Sequence, residues 1–141
     1  ITRLQNMGTP DYLISAACQL VLAQRLARRS CKDCRVPDDD VTPKVLQDLG
    51  FSPEQASRVK ALKGKGCAKC KDSGYKGRQG IYEILVVSKP VKEAILRKAT
   101  TPELRQIAIK EGFQTMQDMG RRLIANGELN FREYERVLAS E

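Results

Sequence analysis

The chain has 141 residues, 41% of them hydrophobic and 30% charged, and it contains no histidine. Without histidine there is no Ser-His-Asp or Cys-His nucleophile system, no imidazole general base and no imidazole metal ligand. The formal charge of +8 fits an anionic partner or simply a solvated basic surface, and the length allows one ordinary domain or two small ones sharing a staple.

In chain order, Thr9 and Pro10 read as N-cap and first helical position, with helical spacing through Leu13, Ile14, Ala17 and Leu20. Neither Gly nor Pro interrupts Leu20–Ala27. Periodicity leaves this run open as a helix continuing to Arg29 or a strand from about Val21, and local propensity favours the helix. Asp38, Asp39 and Asp40 form an acidic loop, read as solvated rather than as an acid/base pair. Val41-Thr42-Pro43 opens a short helix that Gly50 closes. Ser52-Pro53-Glu54-Gln55 is a capping box opening a second helix, with Ala56, Val59 and Leu62 on one face. Lys63-Gly64-Lys65-Gly66 breaks it. Gly74, Gly77 and Gly80 punctuate a tight loop. The strongest strand candidate is Gly80–Val87, apolar on both faces and so expected to be buried on both. Helices then start at Ser88 and Pro90 (ending near Ala99), at Thr101-Pro102-Glu103 (ending at Gly112), after Thr115 (ending at Asn126-Gly127), and at Asn130 with Glu133 (ending about Ala139). The class is mainly α with a small β-hairpin, α+β.

Two Cys-x-x-Cys pairs, Cys31/Cys34 and Cys67/Cys70, carry the chemistry. Two residues between cysteines let both sulfurs face one ion, and two pairs supply a tetrahedral zinc site. Four protein ligands leave no open position, so the zinc is structural. The helical hairpin between the pairs is too small to bury a core alone, so metal closure is needed. Five cysteines with CxxC spacing suit a reducing compartment, and the fifth, Cys18, reads as a small buried hydrophobe.

Basic residues crowd this motif: Arg28, Arg29, Lys32 and Arg35 at the first pair, and Lys63, Lys65, Lys69, Lys71, Lys76 and Arg78 at the second. They read either as a phosphate-binding face or as compensation for a ZnS₄ centre. Tyr75 is the single aromatic there, too few for base stacking, so nucleic acid is disfavoured. No G-x-x-x-x-G-K-[ST] loop occurs, and no apolar run approaches the roughly 20 residues that span a bilayer. Beginning at Ile1 without Met, the sequence reads as a piece of a longer protein.

ITRLQNMG, VLAQRLARR, the first CxxC and CAKCKDSGYKGRQGIYEIL together resemble the secretion motor ATPases, the hexameric ATPases of type IV pilus assembly and type II secretion. The resemblance covers essentially the whole chain in order, and it is to the C-terminal end of such an ATPase. It implies that residues 1–30 end a RecA-like ATPase core, that 31–79 are a tetracysteine zinc insertion at whose neck the metal sits, and that 80–141 are a strand followed by a C-terminal helical bundle. Leu20–Ala27 and Gly80–Val87 would then pair antiparallel, against the local helix preference. The implied function is a structural, force-transmitting or partner-docking part of a pilus-assembly motor, with a type II secretion motor as the alternative. A nucleic-acid-binding zinc domain ranks below both. ATP and Mg²⁺ would be bound only in the missing core, so this stretch has no catalytic residue and is expected to be inactive alone. Implied partners are the motor core, neighbouring subunits of a homohexamer and an inner-membrane platform protein. The implied location is cytoplasmic, peripheral to the inner membrane.

Overall fold

The computed structural model describes residues 1–138. Helices outweigh strands in an α+β arrangement. The elements run α1 (Thr2–Asn6), α2 (Asp11–Ala17), β1 (Leu20–Ser30), β2 (Arg35–Pro37), α3 (Pro43–Asp48), α4 (Pro53–Arg58), β3 (Leu62–Gly64), β4 (Tyr75–Val86), α5 (Lys89–Leu96), α6 (Thr101–Lys110), α7 (Met116–Ala125) and α8 (Phe131–Leu138). Strands β1 and β4 pair with each other, as do β2 and β3. Bonds from Val87 N–H to the Gln19 carbonyl (2.9 Å) and from Cys31 N–H to the Gly74 carbonyl (2.9 Å) frame the β1–β4 ladder and give its antiparallel sense.

The segment Leu20–Ala27 is therefore strand, as the resemblance implied and against local propensity. Helix α2 stops at Ala17 because Cys18 turns extended (φ −76, ψ 123). Beyond it, backbone partners from β4 outweigh the weak helical preference of the run. Helix α2 also starts one residue later than expected, with Pro10 as N-cap.

The chain forms two compact units, Ile1–Ala23 with Glu83–Thr115, and Gln24–Tyr82 with the described residues from Met116. The first unit packs Ile14 of α2 against Val87, Val91, Ala94, Ile95, Ala99 and Leu104, with Cys18 partly buried at the margin. The Ser88 hydroxyl caps α5 at Val91 N–H, and Pro90 sits in its first turn. Helix α5 ends at Leu96, short of the expected Ala99, where Lys98 turns left-handed (φ 57). Helix α6 opens on a reciprocal Thr100–Glu103 capping box.

The second unit holds the cysteines, the α3–α4 pair, β2–β3 and α7–α8. Thr42 caps α3, and the Ser52–Gln55 box caps α4, both as read from sequence. The second helix ends early, however. Val59 is already extended, and Leu62 lies on β3, opposite Pro37, not on a helix face. The ladder to β2 wins there because it satisfies backbone groups that a frayed helix end would leave to water. Helices α7 and α8 meet closely at Gly120, where a Cβ would lie 2.6 Å from Leu138 and 2.7 Å from Tyr134. Arg121 reaches from α7 to the Leu49 carbonyl at 3.0 Å. The expected end of the last helix at Ala139 lies outside the described residues.

Strand β4 begins at Tyr75 and passes through Gly77 and Gly80, so it is longer than the expected Gly80–Val87. Burial on both faces is not found. Ile81 is fully buried, whereas Tyr82, Ile84 and Val86 are exposed, as are Leu20, Leu22 and Leu26 on β1. The described residues put no second layer over these side chains. Among them, no helix is long and apolar enough to cross a membrane.

Candidate metal centre

The first cysteine pair lies where β1 ends. Cys31 N–H bonds the Gly74 carbonyl, and Lys32–Cys34 close a 3₁₀ turn. The second pair repeats this device. Ala68–Cys70 form a 3₁₀ turn, and Lys71 and Asp72 (φ 52 and 58) reverse the chain in the left-handed region. Gly74 (φ 75) then turns it into β4.

These turns bring the Cys31, Cys34, Cys67 and Cys70 sulfurs within 4.8 Å of one another. Cys31 and Cys67 approach at 3.9 Å, Cys34 and Cys70 at 3.9 Å, and Cys67 and Cys70 at 3.7 Å. A disulfide requires about 2.0 Å. A tetrahedral ion with metal–sulfur bonds of about 2.3 Å places its ligands about 3.8 Å apart. The donor set therefore fits a single ion, and these residues could hold one. Backbone N–H groups already point at the sulfurs: Gly66 to Cys34 at 3.3 Å, and Cys67 and Gly74 to Cys70 at 3.2 and 3.3 Å. Burial pushes the Cys34 thiol up to about 12. At Cys70 burial acts the same way, but the N–H bonds from Cys67 and Gly74 outweigh it and bring the thiol down to about 7. Metal binding must therefore displace protons, and affinity rises with pH.

The knuckles are packed backbone on backbone. A Cβ on Gly64 would lie 2.0 Å from the Gly74 carbonyl oxygen, and one on Gly66 (φ 103) would lie 2.9 Å from that of Asp72. Gly64→Ala is expected to lower stability by about 1–3 kcal/mol or more through overpacking and to weaken metal binding, read by melting and by chelator competition. An unchanged melting curve would refute this close approach.

The crowding cations have particular jobs. Lys69, between the second pair, meets Asp33, between the first pair, at 2.5 Å. Lys63 meets Asp38 at 2.7 Å and Asp40 at 3.3 Å. Asp38 is thus a buried, paired carboxylate, not part of a wholly solvated loop. Arg35 donates to the Ser30 carbonyl at 3.3 Å, and Arg29 pairs with Glu128 at 2.5 Å. Of the three expected loop glycines, Gly74 and Gly77 (φ 80) take positive φ, and Gly80 sits under the Tyr82 ring.

Sequence reading missed the residue that ties α8 to this neck. Glu133 is fully buried. Its carboxylate accepts the Arg28 backbone N–H (2.7 Å), Arg28 Nε (3.0 Å) and Nη2 (2.7 Å), and Arg136 Nε (3.0 Å) and Nη2. Burial alone would raise its pKa, but the hydrogen bonds from Arg136 and Arg28 outweigh burial and hold it at about 2. The Arg28 guanidinium also lies 4.1 Å from the Tyr75 ring centroid, a cation–π contact. The Tyr75 hydroxyl accepts from Asn130 Nδ2 at 2.9 Å, and Asn130 Oδ1 caps α8 at Glu133 N–H, 2.8 Å. Arg25 reaches the Val137 carbonyl on the same helix, and Ser30 N–H bonds the Glu128 carbonyl at 3.0 Å. The sequence signalled only the Asn130–Glu133 cap.

The chain is thus a mixed α+β segment whose four cysteines, gathered beside the antiparallel β1–β4 pair, could hold a single metal ion. The chain belongs to the type II/IV secretion system protein family, whose model matches residues 1–136. It is 36% identical over 133 residues to the type IV pilus assembly ATPase PilB of Myxococcus xanthus, covering 94% of this chain and 24% of that protein. It is 41% identical over 123 residues to the PilB of Thermus thermophilus, covering 85% and 13%. It is 31% identical over 137 residues to the type II secretion system protein HxcR of Pseudomonas aeruginosa, covering 97% and 25%. The chain spans a quarter or less of the length of these relatives.

Proposed function

We propose that this chain is the C-terminal part of a hexameric motor ATPase for type IV pilus assembly, with Cys31, Cys34, Cys67 and Cys70 binding structural zinc. The zinc fixes an insertion at the neck of β1 and β4, so that the segment can carry force or dock a partner while ATP is hydrolysed upstream. The observation that carries this reading is the four-sulfur cluster between two paired strands, in a chain whose family match runs from residue 1 to 136. Exposed leucines on β1 and Tyr82, Ile84 and Val86 on β4 support it, since such side chains suit strands that continue a larger sheet. The partners under this reading are the motor core, neighbouring subunits and an inner-membrane platform protein, on the cytoplasmic side of that membrane. Type II secretion is the second reading, favoured by the HxcR relative.

The chain alone is expected to hydrolyse no ATP above background, whereas the longer protein, with a phosphate-binding G-x-x-x-x-G-K-[ST] loop upstream of Ile1, turns it over. Turnover by the isolated chain, or an upstream sequence without that loop, would overturn the proposal. Complementation of pilus-extension and secretion mutants with the longer protein separates the two readings.

A further inference from the structure

Residues on both sides of the cysteine cluster grip one helix, and Gly74 is the joint. Its N–H bonds the Cys70 sulfur at 3.3 Å, and its carbonyl takes the Cys31 N–H at 2.9 Å. The next residue, Tyr75, lies under the Arg28 guanidinium and accepts from Asn130, the cap of α8. On the other strand, the three residues before Cys31 reach α8 and the turn that leads into it. Arg28 goes to Glu133, Arg29 to Glu128, and Ser30 N–H to the Glu128 carbonyl. These bonds leave from backbone next to the sulfurs, whose gathering sets where that backbone lies.

Two properties make the docking of α8 sensitive to the cluster. The helix has only eight residues, too few to persist in water without tertiary support. Its Glu133 is fully buried, and a buried carboxylate that loses a partner is strongly destabilised. A displaced Arg28 therefore drives the carboxylate out to water rather than leaving it in place. Arg136, three residues along α8, also holds this carboxylate. It travels with the helix and stays paired in the released state, which lowers the cost of release.

Drawing Cys31 and Cys70 to one ion fixes Arg28, Arg29, Ser30 and Tyr75 where they receive α8. Coupling between two such equilibria is reciprocal, so a docked α8 must in turn favour the ion.

We infer that Glu133, acting through Arg28 and Tyr75, is a positioning residue for the metal: docking of α8 raises zinc affinity, and loss of zinc releases α8. This coupling rests on the reading that Cys31, Cys34, Cys67 and Cys70 bind zinc. The test uses the whole chain, with zinc affinity measured by competition against a chromophoric chelator and amide exchange followed with and without zinc. Glu133→Gln, which touches no cysteine, should weaken zinc binding about tenfold. Tyr75→Phe keeps the ring under Arg28 and removes the Asn130 bond, and it should weaken binding about threefold. It carries the test if the Glu133 variant does not fold. Glu135→Gln, on the exposed side of α8, should change affinity less than about twofold. Zinc removal should speed exchange across α8 about tenfold or more, while α5 and α6 keep their protection. Zinc affinity unaltered in both variants would make the clip purely structural and overturn the inference, as would α8 exchange that is indifferent to zinc. A chain that takes up no zinc overturns the zinc reading itself and the inference with it.

Discussion

Cys67→Ser is expected to abolish stoichiometric binding of the proposed zinc and to melt the segment between the two cysteine pairs, with residues 31–79 losing amide protection first. The reason is the size of what the metal closes. Helices α3 and α4 have only six residues each, and the β2–β3 ladder has three paired positions. Structural zinc contributes about 10–16 kcal/mol of apparent binding free energy in small domains at neutral pH, as much as the about 5–15 kcal/mol by which a whole domain is usually stable. A three-sulfur site forfeits most of that. Metal content by emission spectrometry and hydrogen exchange by residue check the result. A variant that keeps its zinc and its melting temperature would remove the metal from the account of this fold.

Glu133→Ala is expected to lower stability by about 3–5 kcal/mol, because it leaves Arg28 and Arg136 facing a buried site without their anion. About half of each arginine side chain is exposed (52% and 54%), which lets water recover part of the loss and places the effect at the lower end of that range. Glu133→Gln keeps two acceptor lone pairs and loses less. The pH dependence follows from the sign of the shift. Glu133 titrates at about 2 in the folded chain, below its ordinary 4.5. The clip therefore stabilises fully above about pH 4.5 and is lost as pH falls toward 2. Urea unfolding between pH 7 and pH 2 should show a flatter acid limb in Glu133→Gln than in the parent. Identical limbs would mean that the carboxylate is not held by the two arginines.

What could be read from sequence was what short stretches encode. Cysteine spacing located the cluster because a knuckle is a four-residue event. Ser52 to Gln55 located a helix start because the capping box closes on itself, and the family resemblance, not local pattern, supplied the strand at Leu20. What could not be read was what distant segments decide. Leu62 has helical neighbours in sequence, yet the strand at Pro37 takes it. Glu133 looked like a capping residue, and its main partner Arg28 lies 105 positions away. The two-sided burial expected of β4 failed because apolar composition says what a face prefers, not what is present to cover it.

The hydrogen bonds of Arg28 and Ser30 have one more consequence. Alternate N–H groups along β1 face away from β4, and a free strand edge of that kind invites another strand. At Arg28 the donor is taken by the Glu133 carboxylate and at Ser30 by the Glu128 carbonyl. Side chain and loop thus occupy sites that a stray peptide backbone would use. At these two positions, next to the cysteine cluster, the edge of β1 is closed to a further strand, which disfavours edge-to-edge aggregation there.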